Sequence, residues 1–541
     1  MDLERIEAPG DATDDEKYAV TEGGIVVTAF PLATEAGVSM LKKGGNAVDA
    51  ACAAAFALSV CEPQSSGLGG QSMALIHLHG RTFAVDGSSR LPSLAHISRI
   101  VNSDRIHGYR AATVPSTLAF LGYLHLRYGR LEWSTLIEPA IRIARDGYRI
   151  SPLQHRLQQR ELSALMAASS RSGARYFLKN ASYPYDTGDR FVQPDLAALL
   201  EIIAERGPRE FYLGRIARII GEDMEANGGL IRTEDLALIP WPIERRPIAI
   251  PYRGLSVATM PPPAGGRSLA LVLLMLDHMA PEMLAPVTPQ NQHCLAEIFR
   301  KALLQRRQYP YHPNFYAQAM DDTMVNAGFA AELVKSIRVS IDPALSCDAS
   351  PRDGGETTHL SVIDDEGNAV AISQSIEAIY GSAVAAQGLG FLYNNYVRTM
   401  ETKDPGNPYY LRPNAVPYST VSPSILFRNE KPWIVVGSPG SDRIFSAVAQ
   451  FLLHVIDGGL SLGEAVDRPR LHCSMGGKIS IEAARFDPSV IDHLIKLGYD
   501  VERLDSYSFF PGAIYAAMKC QTNPTYQGVA EVRREGSVAG P

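Results

Sequence analysis

Residues 47–58, Ala-Val-Asp-Ala-Ala-Cys-Ala-Ala-Ala-Phe-Ala-Leu, offer helical spacing but no polar face. A helix that is apolar all round has to be covered all round. Asn46 is suited to cap it, and Gly44-Gly45 stop the helical pattern of residues 32–43 just ahead of it. Its alanines let neighbouring backbone approach closely, so the helix belongs inside the molecule. The covering layers can be read along the chain. Short strands are expected at 23–29, 73–77, 81–86, 360–363, 369–373, 389–393 and 433–436, and Asp364-Asp365-Glu366-Gly367-Asn368 supplies hairpin chemistry between the two central ones. Helical patterns occupy parts of 115–149, then 193–205, 215–226, 268–279, 332–337 and 444–456. Strands and helices in blocks indicate a layered α+β sandwich. With 541 residues the chain makes about three domain-sized units or one large layered body.

Charge and cysteine usage exclude several classes of function. A formal net charge of -7 gives no electrostatic reason to expect nucleic acid or an anionic membrane as partner. The six cysteines are scattered without metal-ligand spacing, so they are expected as reduced, mostly buried thiols, with no metal and no organic cofactor. The acidic N-terminus lacks the apolar run of a secretory signal, and no stretch is long enough to span a bilayer. A cytoplasmic location is the expectation.

Several loops carry chemistry. Residues 62–72, Glu-Pro-Gln-Ser-Ser-Gly-Leu-Gly-Gly-Gln-Ser, form a glycine and serine turn, but it precedes a strand and lacks a Gly-Lys-Ser/Thr ending, which argues against nucleotide binding. In residues 87–92 Arg90 either faces solvent or binds an acid. Residues 437–443, Gly-Ser-Pro-Gly-Ser-Asp-Arg, run from a strand into a helix and so present backbone N–H groups as an anion or oxyanion site. Residues 401–417, dense in proline, tyrosine and asparagine, suit a rim or lid loop. The most informative junction is Gly354-Gly355-Glu356-Thr357-Thr358-His359-Leu360-Ser361-Val362, where a polar, flexible approach enters a strand. Such a junction is either a loop entering a sheet or a place where the chain cuts itself and exposes a threonine whose new α-amine serves as its own base.

Five motifs decide between these readings by their order. Gly44-Gly45-Asn46-Ala47-Val48-Asp49-Ala50-Ala51, Glu62 to Gly70, Met260-Pro261-Pro262-Pro263, Thr357-Thr358-His359 and Gly437-Ser438-Pro439-Gly440 follow one another as in the γ-glutamyltransferase family, which the chain resembles over nearly its whole length. The resemblance implies an N-terminal nucleophile hydrolase with a four-layer αββα sandwich. It also implies a precursor that cleaves itself between Glu356 and Thr357 into a large subunit, 1–356, and a small subunit, 357–541, which stay associated as a heterodimer; further dimerisation is left open. By the same resemblance Thr357 is the nucleophile, and Ser375 stands where a second threonine bonds the nucleophile's amine. Gly440 and Ser441 match the two backbone donors of the oxyanion hole, and Ser419 and Thr420 match a serine pair beside the substrate carboxylate.

The departures redirect the expected substrate. Ser88 stands where relatives that bind γ-glutamyl groups carry a carboxylate-clamping arginine, with Arg90 two residues later. Glu377 replaces an asparagine, and Tyr396 and Thr399 replace the glutamine and aspartate that grip the α-ammonium. Each lost charge-assisted bond removes roughly 1.5–3 kcal/mol. The expectation is an intact acyl-cutting centre aimed at a small amide that is not a standard γ-glutamyl compound. Glu377 is a candidate partner for a substrate cation and Arg90 or Arg398 for a carboxylate; a solvated rim charge is the other reading of each. Tyr396 reads as packing, and His359, alternating onto Thr357's side of the strand, as structural. The alternatives are a glutathione hydrolase or γ-glutamyltransferase with a rearranged pocket, a carbon–carbon bond hydrolase of a biosynthetic pathway, and an unprocessed scaffold protein.

Overall fold

The computed structural model describes residues 14–167, 171–238, 241–281, 287–314, 325–337, 355–521 and 523–541. The polar approach 350–354 and Cys347 lie outside them. Two seven-stranded antiparallel sheets are stacked face to face. One runs in the order Ser537–Ala539, Gly24–Thr28, Gly355–Asp364, Ala369–Ala378, Gln71–Leu78, Arg81–Gly87 and Ile243–Arg245. The other runs Tyr18–Thr21, Tyr526–Ala530, Tyr515–Lys519, Lys431–Gly437, Ser424–Arg428, Leu255–Thr259 and Ile248–Tyr252. The central hairpin of the first sheet contacts Lys431–Gly437 of the second, so both its faces are buried.

Helices complete the αββα sandwich. The alanine-rich helix spans Ala47–Cys61, every residue of it buried. Asn46 caps it by accepting from the N–H groups of Val48 and Asp49 at 2.9 and 3.1 Å, and the Asp49 carboxylate returns a bond to the Asn46 N–H. It packs on the central hairpin and between helices Pro31–Lys42 and Trp133–Asp146. On the outer side of the second sheet, Gly266–Asp277, Pro289–Gln308 and Ile444–Leu452 share a second apolar core. Among the described residues, no helix is long and apolar enough to cross a membrane. Five cysteines are free thiols, with Cys52, Cys61 and Cys473 buried.

Two expected elements differ. Residues 389–393 form no strand: the only ladder contact there is a single bridge between Ala385 and Leu392, because Gly388 and Gly390 adopt positive φ and the run closes local turns. The helix expected over 444–456 is α-helical through Leu452 and then widens into a π turn, Leu453–Asp457.

Candidate active site

Thr357 lies where the pairing of the central hairpin slips. Glu356 pairs with Glu377 and Thr358 with Gln374, so Ser375 and Ile376 together stand against Thr357 alone. A bulge of this kind re-aims side chains. Here it turns the Ser375 hydroxyl onto the backbone: its Oγ donates to the Glu356 carbonyl oxygen at 2.7 Å and accepts from the Glu377 N–H at 2.8 Å. The Thr357 N–H donates to Glu356 Oε1 at 2.9 Å, and the Arg534 guanidinium donates to the same oxygen. Arg534 is held in turn by the Phe509 carbonyl at 3.2 Å and by the Phe509 ring, 3.8 Å from its centroid. Both polar ends of the Glu356–Thr357 peptide bond are therefore held by side chains. Thr357 is 4% exposed.

The second sheet brings the turn. Strand Lys431–Gly437 ends in Ser438-Pro439-Gly440, followed by the short helix Ser441–Arg443 and then Ile444–Leu452. Gly440 has φ 122° and Ser441 φ 53°. A Cβ on Gly355 would lie 2.6 Å from Ser441 Cβ, so the turn is pressed against the strand one residue before Glu356. Neither the Gly440 nor the Ser441 N–H finds an acceptor among the described residues. Two open donors on a sharp turn can receive developing negative charge.

On the helix side, Thr358 Oγ1 donates to Glu62 Oε2 at 2.5 Å. Burial pushes the Glu62 carboxyl well above the usual carboxylate range, and the charges of Glu535 and Glu356 add to this. On the opposite face the His359 ring bridges the hydroxyls of Ser373 and Ser361 at 2.8 and 3.1 Å. Burial lowers its pKa to about 3, so it stays neutral; a Cβ on Gly437 would fall 2.2 Å from the ring. His359 is a packed structural residue.

The remaining candidates divide. Tyr396 is fully buried, yet its phenol faces Ser375, Ser419 and Gln71, with the Glu377 carboxylate near enough to disfavour ionisation. It is thus part of the polar cluster as well as packing. Thr399 Oγ1 donates to the Tyr396 carbonyl at 3.0 Å and lines a cavity of about 530 Å³ with Tyr418, Asp442, Arg443 and Arg267. Ser419 is buried with its N–H on the Pro263 carbonyl at 3.0 Å, and Thr420 packs on Gly265, so the proline turn buttresses this pair. Arg90 lies apart from that cavity. It lines a separate pocket of about 30 Å³ with Asp86, Ser88 and Arg245. Asp86 is engaged by Arg245 at 2.7 Å and by the Ser88 N–H at 3.0 Å. Arg398 is half-buried. Sequence reasoning passed over Glu62, Gln71, Arg245 and Arg534; Glu62 and Gln71 stood inside the quoted turn 62–72, whereas Arg245 and Arg534 gave no local signal.

Comparisons with known proteins place the whole chain. The family model described as gamma-glutamyltranspeptidase matches residues 33–541. The chain is 33% identical over 475 residues to the glutathione hydrolase proenzyme of Escherichia coli, covering 83% of this chain and 80% of that one. It is 31% identical over 509 residues to the acylase ACY 1 proenzyme of a Pseudomonas species, covering 91% and 90%. Among solved structures, cephalosporin acylase from Bacillus halodurans superposes with a TM-score of 0.86 at 26% identity, covering 98% of this chain and 99% of that one. Helicobacter pylori gamma-glutamyltranspeptidase gives a TM-score of 0.54 at 33% identity, covering 60% and 96%. The chain belongs to the gamma-glutamyltranspeptidase family and has the fold of N-terminal nucleophile hydrolases.

Proposed function

We propose that the chain is a self-processing amidohydrolase with Thr357 as its nucleophile, acting on small amides that are not standard γ-glutamyl compounds. The observation that carries this reading is the Ser375 hydroxyl on the Glu356 carbonyl, 2.7 Å away, at a bulge that isolates Thr357. In the precursor, Thr357 Oγ1 attacks the Glu356 carbonyl carbon, the peptide C–N bond breaks, and water hydrolyses the resulting ester. The freed α-amine then takes the hydroxyl proton when Thr357 attacks a substrate amide. Negative charge on the substrate oxygen is received by the Gly440 and Ser441 N–H groups. The products are the amine and, after water cleaves the acyl-enzyme, the acid.

A denaturing gel tests the first half. Purified protein should give two bands that add to 58.8 kDa, and Thr357→Ala one band of that mass. Two bands from the variant would refute Thr357. The second reading is γ-glutamyl hydrolysis, favoured by the glutathione hydrolase names among the relatives. Weighing against it, Arg90 sits with Asp86 and Arg245 in a pocket apart from the cavity that Thr399 lines. Rapid release of 4-nitroaniline from its γ-glutamyl amide would establish that reading instead.

A further inference from the structure

The segment between strands Asp500–Leu504 and Tyr515–Lys519 touches both halves of the candidate site. It is pinned at two points: the Ser508 N–H donates to Glu482 Oε1 at 3.0 Å, and the Ala513 N–H donates to Ser438 Oγ at 3.0 Å. Gly512 is pressed on the Gly440–Ser441 turn, since a Cβ on Gly440 would come 3.1 Å from its Cα. Between the pins stand Phe509 and Phe510, both buried, and each holds a different arginine in the same way. The Phe509 carbonyl accepts from Arg534 Nη2 at 3.2 Å, and that guanidinium lies over the Phe509 ring, 3.8 Å from its centroid. The Phe510 carbonyl accepts from Arg443 Nε at 3.2 Å, and that guanidinium lies over the Phe510 ring at 4.3 Å. A planar guanidinium seated on a ring and tied to a carbonyl keeps one orientation. The two arginines serve different places. Arg534 donates to Glu356 Oε1, which also accepts from the Thr357 N–H at the proposed scissile bond. Arg443 closes the Gly440–Ser441 turn, its N–H on the Gly440 carbonyl at 3.0 Å, and with Phe510 it lines the cavity of about 530 Å³.

We propose that Phe509 and Phe510 are positioning residues with separate duties: Phe509 acts through Arg534 on self-cleavage, and Phe510 acts through Arg443 on the aim of the Gly440 and Ser441 N–H groups when Thr357 attacks a substrate. This inference rests on the amidohydrolase reading. Because the backbone is pinned at Ser508 and Ala513, replacing one ring releases one arginine and leaves the other seated. Both residues are buried phenylalanines, so as mere packing their truncation would act alike on every reaction of the chain. As positioning residues they act on different reactions.

The test compares Phe509→Leu and Phe510→Leu in two reactions of the full chain. Self-cleavage is followed on a denaturing gel. Attack on a substrate is followed in processed protein as the burst of 4-nitrophenolate from 4-nitrophenyl acetate, whose acyl group is too small to fill the cavity. In that burst Thr357 Oγ1 bonds the acetyl carbon, the ester C–O bond breaks and the α-amine takes the hydroxyl proton; Thr357→Ala supplies the background. Phe509→Leu should slow self-cleavage about tenfold or more and leave the burst rate within about twofold of wild type. Phe510→Leu should do the reverse. Phe509→Tyr and Phe510→Tyr keep the rings and should keep both rates near wild type. If a leucine variant fails to fold, methionine at the same position gives the same reading. Equal effects of the two truncations on both reactions, no effect on either, or tyrosine variants that fail like the leucine ones would overturn the proposal. Wild-type protein that neither cleaves itself nor gives a burst would refute the amidohydrolase reading instead. Cleavage without a burst would refute the substrate half of that reading and Phe510's duty with it, while the gel would still decide Phe509.

Discussion

Ser375 has one proton to give. Its oxygen already accepts from the Glu377 N–H, and its bond to the Glu356 carbonyl directs the proton onto the atom that becomes negative in the proposed attack by Thr357. Ser375→Ala should therefore slow self-cleavage by about 10²- to 10³-fold, the usual cost of losing one donor to an oxyanion. Ser375→Thr should restore most of the rate. A gel time course measures both, and cleavage at the wild-type rate in Ser375→Ala would remove Ser375 from the reaction. A second residue-scale expectation concerns Glu535, whose carboxyl burial pushes up to about 7 although Lys17 and Arg156 pull it down. The unfolded chain releases this proton near pH 4.5 and the folded chain holds it until about 7. The stabilisation it contributes is thus full below pH 4.5, declines as pH rises, and is gone above 7, a change on the order of 3 kcal/mol. Urea midpoints at pH 5 and 8 should accordingly differ less in Glu535→Gln than in wild type; equal differences would contradict the burial argument. Thr357, Ser375, Gly440 and Ser441 were named by resemblance, and the structure brings Ser375 and the turn at Ser441 to the strand that holds Thr357. Arg534 and Glu62 were not, because they reach the junction from 178 and 296 positions away and no local spacing signals such contacts.

Period and capping identify elements well where side chains alternate or repeat, and poorly where burial alone makes a run apolar. Helix Arg215–Ala226 coincides with the expectation over 215–226, and the central hairpin grew from the two short strands expected around Asp364 to Asn368. Residues 389–393 misled because a short apolar run reads alike whether it is ladder or packed loop. The start of the strand at Gly355 was hidden for the opposite reason, since glycine and polar residues are buried there between two sheets. The end of the chain is fixed by ionic rather than apolar contacts. Arg533 pairs with Glu482 and with Glu531 at 3.0 Å, all fully buried, and donates to the Val466 carbonyl at 2.9 Å, which ties the segment after strand Tyr526–Ala530 to helix Leu462–Asp467. Removing one member of a buried ion network leaves the others uncompensated, so Arg533→Met should destabilise by about 3–5 kcal/mol. Chemical denaturation checks this, and a loss under 1 kcal/mol would mean that water or repacking replaces the pair.

At the scale of the molecule, the Glu356–Thr357 bond divides the sequence but not the fold. In the first sheet, Gly24–Thr28 lies between Ser537–Ala539 and Gly355–Asp364, and Ala369–Ala378 pairs with Gln71–Leu78. In the second, Tyr18–Thr21 pairs with Tyr526–Ala530 at one side, and Leu255–Thr259 pairs with Ser424–Arg428 near the other. Four strand-to-strand seams other than those of the strand that holds this bond therefore join chain from before Thr357 to chain from after it, and both apolar cores contain residues from both sides. Separating the fragments would expose these seams and open both cores, so it is equivalent to unfolding rather than to dissociation of two folded partners. If cleavage occurs at the proposed bond, the two pieces should elute together, at the position of the uncleaved Thr357→Ala chain in non-denaturing buffer, at every dilution the detector allows. Urea should separate them in a single transition coincident with loss of secondary structure. Release of one folded fragment below that transition would show that the seams are weaker than their burial implies, and that the halves behave as separable domains.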